Sequence, residues 1–208
     1  MKRILIIGVG ISDVNTQNYG QDAIDNNIPF KKYLNQRYEK IIYFKYQDIL
    51  DKHAVFAKTL LDPARFVFKV KAQKEILNNF ERLVKRLQAE GYIVDLFAHS
   101  LFCWVSAKAK VELDTVIHAG SPIGWITPGL RFIVRFDICK PSWVKPALST
   151  NHFFNLYSVR DPVGNKPNFN ANPKWAFQSK VNLELHTNTT HNWNEYVDYL
   201  YERRFLLL

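Results

Sequence analysis

Ser100 lies where a strand-like run of the sequence passes directly into helix-forming residues. The apolar residues 92–97 predict a buried strand, and a helix is predicted to follow from Leu101. A strand, a serine and a helix in this order form the layout of a nucleophile elbow, a sharp turn that lifts a serine hydroxyl clear of a sheet. The turn also exposes the backbone N–H of Leu101, which can donate to an oxyanion. The segment therefore predicts nucleophilic attack by Ser100 on a carbonyl carbon.

The residues on either side of Ser100 depart from the usual pattern Gly-x-Ser-x-Gly. Positions two before and two after the serine are crowded in such a turn, and here they hold Ala98 and Phe102. If the elbow forms, Phe102 must turn away from Ala98 and pack into the core or line a substrate pocket. The alternative for this segment is an ordinary buried strand that ends in a polar residue.

Two further polar side chains follow strand-like runs downstream of Ser100. Asp161 ends one such run, and His191 lies beyond another, at residues 181–185. Catalytic serine, carboxylate and histidine occur in this chain order on open α/β sheets, whose active residues lie outside the carboxyl ends of strands. His186 is a rival base, but His191 lies farther beyond the strand and directly before a helical tail.

These three side chains have complementary chemistry. A serine hydroxyl is a weak nucleophile at neutral pH and needs a base within hydrogen-bonding reach. His191 can take its proton because imidazole titrates near neutrality, and Asp161 can orient the ring and stabilise its charged form. His99 is expected to be structural, since it points away from the exposed face of an elbow.

The loop after the first strand-like run is expected to supply the second oxyanion donor. Its residues 8–12 contain two glycines, which let a backbone approach a substrate closely. We therefore expect the N–H groups of Val9 and Gly10 to join that of Leu101. Two side chains of the same loop are expected to line the substrate pocket: Ile11 and Ser12.

The same loop has a nucleotide-binding alternative. A Gly-x-Gly turn after a first strand also opens dinucleotide-binding folds. Here the third glycine of that motif is replaced by Asp13, a carboxylate where a phosphate would sit. A phosphate-binding Gly-Lys-Ser or Gly-Lys-Thr does not occur in the sequence.

Two short segments carry a resemblance to a known family. Ala119-Gly120-Ser121-Pro122 follows a strand-like run and is similar to the Gly-Ser-Pro that follows the elbow helix in many lipases. Residues 160–163, Arg-Asp-Pro-Val, look like the acid-bearing segment of the same enzymes. With the turn at Ser100, they make most of the chain resemble the α/β-hydrolase family. The resemblance implies Ser100 as nucleophile, His191 as general base and Asp161 as its orienting carboxylate, and it implies no substrate.

The order of the elements predicts the fold class. Strand-like and helix-like runs alternate, which predicts an α/β three-layer sandwich with a mostly parallel sheet of about six strands in a single domain over residues 1–208. The resemblance implies that this sheet is a minimal α/β-hydrolase fold. The predicted strands are residues 2–7, 40–44, 92–97, 115–118, 154–159 and 181–185. The predicted helices are residues 27–38, 72–89, the segment after Ser100 and residues 193–203. Residues 48–70 are given no element.

Residues 125–148 are rich in large apolar side chains with interleaved arginines and lysines. In hydrolases of this fold the corresponding stretch commonly supplies a cap or pocket wall, and Trp125 is our candidate pocket residue there. A helix packed on the sheet with its arginines in water is one alternative. Peripheral contact with an anionic membrane surface is another.

Charge and cysteine content narrow the range of partners and settings. The net charge of +9 favours an anionic partner, with solubility alone as the alternative. Basic residues are spread along the chain and no zinc-finger, RNA-recognition or basic-zipper motif occurs, so no specific nucleic-acid partner is predicted. The two cysteines suit a reducing cytosol and give neither a disulfide framework nor a zinc site. No apolar run approaches the length needed to cross a membrane.

The sequence thus predicts a cytoplasmic serine hydrolase that cleaves a carboxylic ester or thioester through an acyl-enzyme, with no metal or organic cofactor. The expected substrate is a small-molecule or lipid ester, with anionic character favoured by the net charge. The runner-up is a catalytically weak or inactive hydrolase-fold module that binds an anionic partner, and the third alternative is a nucleotide-binding protein. The oligomeric state is not predicted.

Overall fold

The computed structural model describes residues 2–10, 20–53, 70–121, 147–161, 177–185 and 191–204. Among these residues, six strands form one sheet in which every neighbouring pair is parallel. The strands are β1 (Arg3–Gly8), β2 (Lys40–Tyr43), β3 (Ile93–His99), β4 (Glu112–Ala119), β5 (Ser149–Tyr157) and β6 (Phe177–Glu184). The described helices are α1 (Gln21–Asn26), α2 (Ile28–Arg37), α3 (Gln47–Lys52), α4 (Val70–Ala89), α5 (Leu101–Ala107) and α6 (Trp193–Glu202).

The strands lie side by side in the order β2-β1-β3-β4-β5-β6, with helices on both faces of the sheet. Successive side chains of a strand point to opposite faces, so β1 buries Ile4 and Ile6 in one core and Leu5 and Ile7 in the other. The first core is closed by α3, α4 and α5, and the second by α1, α2 and α6. The predicted fold class, an α/β three-layer arrangement around a parallel sheet, is therefore confirmed.

Several boundaries differ from the prediction for local reasons. Helices α1 and α3 were not predicted, because six residues are too few to show a helical period. Strand β5 begins at Ser149, earlier than the predicted start at residue 154. The prediction missed its first half because the side chains there are polar. Thr150 Oγ1 donates to the Asp114 carbonyl at 2.9 Å and Asn151 donates to the Asp114 carboxylate at 2.8 Å. These polar side chains form hydrogen bonds with the neighbouring strand β4, and they interrupt the apolar pattern by which a strand is predicted.

A partly buried ion network ties the strands together at the edge opposite the carboxyl ends. The Arg3 guanidinium contacts Asp95 on β3 at 2.8 Å and Asp114 on β4 at 2.6 Å. The Tyr38 hydroxyl and the Thr115 backbone N–H also donate to Asp95, each at 3.0 Å. Burial raises the pKa of Asp95, while these donors and Arg3 act in the opposite direction. The network fixes β1 beside β3, the two strands whose carboxyl ends carry Gly10 and Ser100.

Some sequence predictions lie outside the described residues. Three of the predicted pocket residues are among them, Ile11, Ser12 and Trp125, as are most of the segment 125–148 and the rival base His186. In the parts of the chain that the structure describes, no helix is long and apolar enough to cross a membrane.

Candidate active site

The turn between β3 and α5 holds Ser100 in an unusual backbone conformation. Its φ is 56° and its ψ is −132°, a region that residues with a Cβ rarely adopt. The Ser100 backbone N–H donates to the Ala119 carbonyl at the end of β4, at 2.9 Å. This geometry turns the chain sharply from strand to helix at the serine. It is the strand–turn–helix arrangement that the sequence analysis predicted for this segment.

The side chains of Ser100, His191 and Asp161 form a continuous hydrogen-bonded chain. Ser100 Oγ lies 2.8 Å from His191 Nε2, and His191 Nδ1 lies 2.8 Å from Asp161 Oδ2. A carboxylate only accepts hydrogen bonds, so Nδ1 carries the ring proton and Nε2 is left to accept the serine hydroxyl. The imidazole therefore faces the hydroxyl with its basic nitrogen, as a general base must.

Each member of this chain comes from a different connection at the carboxyl edge of the sheet. Ser100 follows β3, and Asp161 lies in a turn after β5, where its N–H donates to the Ser158 carbonyl at 3.2 Å. His191 precedes α6, whose first turn is capped by the Asn192 side chain accepting from the Asn194 N–H at 3.0 Å. The parallel sheet brings these three distant positions together.

Backbone strain in the described part of the chain is concentrated at this site. Among its non-glycine residues, only Ser100 and His191 have positive φ, at 56° and 75°. Such conformations persist only where the surrounding structure enforces them, and they cluster at functional positions. The two strained residues are the two that would exchange a proton.

Gly120 is a site residue that the sequence analysis did not identify. Its φ is 55°, and a Cβ there would lie 2.9 Å from His191 Nδ1 and 3.0 Å from Asp161 Oδ2. Only glycine allows the His191–Asp161 pair to pack so closely on this backbone. The sequence signal for this residue is the Gly-Ser-Pro segment, whose similarity to lipases does not by itself indicate why the glycine is needed.

The imidazole of His191 stacks on His99, a ring that is itself packed between aromatic side chains. The His99 ring stacks on it with centroids 4.8 Å apart, and Trp193 and Tyr196 contact His99 at 5.2 and 5.5 Å. His99 is only 2% exposed, and burial lowers its pKa well below the usual value, so this ring is neutral. Trp193 also donates to the Gly20 carbonyl at 2.9 Å. These contacts fix the plane of the His191 ring.

Asp161 has a second side-chain donor that sequence reasoning missed. The Tyr196 hydroxyl, from α6, donates to Asp161 Oδ2 at 2.5 Å. This is the same oxygen that accepts from His191. Both Tyr196 and the Asp161 side chain have no exposed surface. No local sequence pattern predicts this contact, because it depends on how α6 docks on the sheet.

Two of the predicted oxyanion donors, Gly10 and Leu101, lie beside the serine. A Cβ on Gly10 would be 2.6 Å from Ser100 Oγ and 3.2 Å from the Leu101 nitrogen, so the glycine is needed for this approach. Leu101 begins α5, and the first N–H groups of a helix have no partner within it. The Val9 carbonyl accepts from the Tyr46 hydroxyl. Because a trans peptide points its C=O and N–H in opposite directions, this bond fixes the Gly10 N–H away from Tyr46.

Phe102, a predicted pocket residue, lies in the core and not in the wall of a pocket open to solvent. It is 1% exposed, and its ring packs between those of Phe44, Tyr46 and Phe80, with centroids 5.3, 5.8 and 5.4 Å away. The ring lies over Gly8, where a Cβ would be 2.1 Å from it. In the usual pattern, a glycine two residues after the serine leaves room beside the turn. Here Gly8 on the neighbouring strand leaves room for the Phe102 ring instead.

A second serine–histidine pair occurs in the interior, at Ser106 and His118. Ser106 Oγ lies 3.1 Å from His118 Nε2 and also donates to the Cys103 carbonyl. Both residues have no exposed surface, and burial lowers the pKa of His118 to about 3. A substrate cannot reach this pair, so the pair at Ser100 and His191 is the better candidate for chemistry.

Comparisons with known proteins leave the site to be judged on its geometry. No family model matches the sequence, and no curated protein or solved structure matches the chain. Within the described residues, no group of His, Cys, Asp and Glu side chains could hold a metal ion. The arrangement is therefore interpreted from its own hydrogen bonds and strain.

Proposed function

We propose that this protein is a serine hydrolase that cleaves a carboxylic ester or thioester through an acyl-enzyme. The observation that carries the proposal is the chain of two 2.8 Å hydrogen bonds from Ser100 through His191 to Asp161. Backbone strain at the serine and the histidine supports it, as does the close approach of Gly10 to Ser100 Oγ. The fold and the order of the three residues also support membership of the α/β-hydrolase family.

The proposed reaction uses His191 twice. As Ser100 Oγ attacks the carbonyl carbon, its proton passes to His191 Nε2, and Asp161 stabilises the resulting imidazolium. The carbonyl oxygen takes up negative charge, which the N–H groups of Leu101 and Gly10 would hold. His191 then gives the proton to the departing alcohol or thiol. Water, deprotonated by His191, releases the acid and restores Ser100.

The substrate and the setting are proposed from the net charge and from the chemistry of Cys103. A net charge of +9 favours an anionic small-molecule or lipid ester and allows peripheral contact with an acidic membrane surface. A cytoplasmic location agrees with the buried Cys103, a free thiol whose pKa is raised by its burial. No metal or organic cofactor enters the proposed reaction.

The competing proposal is a silenced hydrolase fold that binds an anionic partner. It requires Phe102 to distort the turn at Ser100. The ring instead fits over Gly8, and the Ser100 hydroxyl keeps its 2.8 Å contact with His191. These contacts favour the active enzyme.

Covalent labelling tests the proposed function directly. A fluorophosphonate reacts with serines activated by a base, so wild-type protein is expected to be labelled at Ser100, as read by intact mass and peptide mapping. Ser100→Ala is expected to remove the label. Ser106→Ala removes a buried hydroxyl from α5, the helix that follows Ser100, and is expected to keep the label. If folded wild-type protein took no label at Ser100, the proposal would be refuted, and a silenced hydrolase fold that binds an anionic partner would be favoured.

The bond from Tyr46 to the Val9 carbonyl leads to a second prediction. Tyr46→Phe keeps the ring in the core but releases the peptide that orients the Gly10 N–H. Loss of a whole oxyanion donor typically lowers kcat by about 10²–10³-fold, so a loosened donor is expected to cost about tenfold, with little change in KM. Steady-state ester hydrolysis measures this. Tyr33→Phe, which removes a hydroxyl bonded to the Arg204 carbonyl, is the control. Equal kcat in both variants would contradict the role of Gly10.

A further inference from the structure

We propose that Tyr196 is a positioning residue of the catalytic site, whose hydroxyl holds Asp161 ionised and shares its Oδ2 oxygen with His191. The inference rests on the proposed serine hydrolase function. It assigns a role to α6 that the catalytic triad of Ser100, His191 and Asp161 does not by itself require.

The geometry of α6 brings two donors to one oxygen. His191 lies just before the helix and Tyr196 within it, and both donate to Asp161 Oδ2, at 2.8 and 2.5 Å. The helix is held in place by Trp193, which packs on Phe97 with ring centroids 4.6 Å apart. Docking of a single helix therefore sets both contacts together.

The buried setting makes the second donor important. The Asp161 side chain has no exposed surface, so water does not solvate its charge. A buried carboxylate is stabilised only by the hydrogen bonds and charges that it meets in the protein. Burial and the charge of Asp161 together raise the pKa of Tyr196, so the phenol keeps its proton and stays a donor.

Two donors on one oxygen also weaken each other. The Tyr196 hydroxyl and the His191 Nδ1–H group compete for the same acceptor, Asp161 Oδ2, so each hydrogen bond is weaker than it would be alone. Removing the hydroxyl should therefore shorten and strengthen the His191–Asp161 bond while making the ionised carboxylate less stable. Both changes act on the acidic side of the pH–rate profile. They move the loss of activity to higher pH, because the arrangement in which Asp161 accepts from His191 and His191 accepts from Ser100 is then lost sooner as pH falls.

The other titratable groups near this pair are few in the described residues. His99, on β3, is neutral and stacks on His191. Cys103, on α5, and Glu195, on α6, interact electrostatically with Tyr196. Burial keeps Cys103 protonated, so it carries no competing charge across the working range.

The experiment compares wild type, Tyr196→Phe and Tyr199→Phe. Tyr199 lies on the same helix, and its hydroxyl donates to the Glu184 carbonyl at 3.3 Å, away from the triad. The rate of fluorophosphonate reaction is measured against pH. In Tyr196→Phe, the acid limb of the pH–rate profile is expected to move to higher pH by about one unit, which corresponds to about 1.4 kcal/mol. The maximum rate at the plateau of the profile is expected to change less. Tyr199→Phe is expected to match wild type.

Nuclear magnetic resonance gives a readout that does not need activity. The proton on His191 Nδ1 is expected to move downfield in Tyr196→Phe, since Asp161 Oδ2 no longer shares its charge with a second donor. Thermal melts check that both variants are folded. An unchanged acid limb and an unchanged proton resonance in folded Tyr196→Phe would overturn the inference. If wild-type Ser100 does not react at all, the proposed function fails, and the proton resonance still decides whether Tyr196 competes for Asp161.

Discussion

Ser100→Ala is expected to lower kcat/KM for ester hydrolysis by about 10⁴–10⁶-fold while leaving the protein folded. The proposed reaction has one nucleophile, the Ser100 hydroxyl, which lies 2.8 Å from the His191 Nε2 atom that takes its proton. His191→Ala is expected to cost nearly as much, because a serine hydroxyl without a base stays protonated at neutral pH. Hydrolysis of a p-nitrophenyl ester, followed over a wide range of enzyme concentration, measures both losses.

The double variant distinguishes a catalytic unit from two independent contributions. If Ser100 and His191 act together, Ser100→Ala/His191→Ala should be little worse than either single change. Two independent roles would instead multiply the separate losses. Ser106→Ala serves as the matched control, since it removes a serine hydroxyl that has no exposed surface. Full activity in Ser100→Ala would exclude this serine as the nucleophile.

The sequence predicted the parts of the site that depend on strand order. Ser100, Asp161 and His191 each follow a strand, and in a parallel sheet the carboxyl ends of all strands lie at one edge. Side-chain type, placement after a strand and chain order were therefore enough to select three residues that are joined by two hydrogen bonds through His191. The alternation of strand-like and helix-like runs was enough for the parallel sheet itself, whose strands are buried on both faces and read as continuous apolar runs.

The sequence did not predict contacts that depend on helix docking. Tyr196 reaches Asp161 only because α6 packs on β3 through Trp193, and Tyr46 reaches Val9 from the connection after β2. Each contact joins residues that no local period or motif relates. Gly120 is different, since its Gly-Ser-Pro segment was noticed without its reason, which is the close packing of His191 and Asp161 against its Cα.

Phe102→Gly is expected to destabilise the fold strongly, although it brings the turn closer to Gly-x-Ser-x-Gly. Phe102 is 1% exposed and packs against three aromatic rings. Losing a buried aromatic side chain typically costs about 3–5 kcal/mol, and glycine in a helix adds up to about 1 kcal/mol. Since whole domains are stable by only about 5–15 kcal/mol, urea unfolding should show a much lower midpoint.

The contact between Phe102 and Gly8 gives this prediction a matched test. A Cβ on Gly8 would lie 2.1 Å from the Phe102 ring, so Gly8→Ala should destabilise wild type. In a Phe102→Leu background, which keeps most of the apolar volume, the same change should cost less, and the difference is read as a coupling energy from urea unfolding. The folded fraction of each variant is expected to keep its reaction with fluorophosphonate, because the hydrogen bonds that join Ser100, His191 and Asp161 do not involve the ring. If Phe102→Gly instead kept its stability and turned an inert wild type into an active esterase, Phe102 would be the residue that silences the fold.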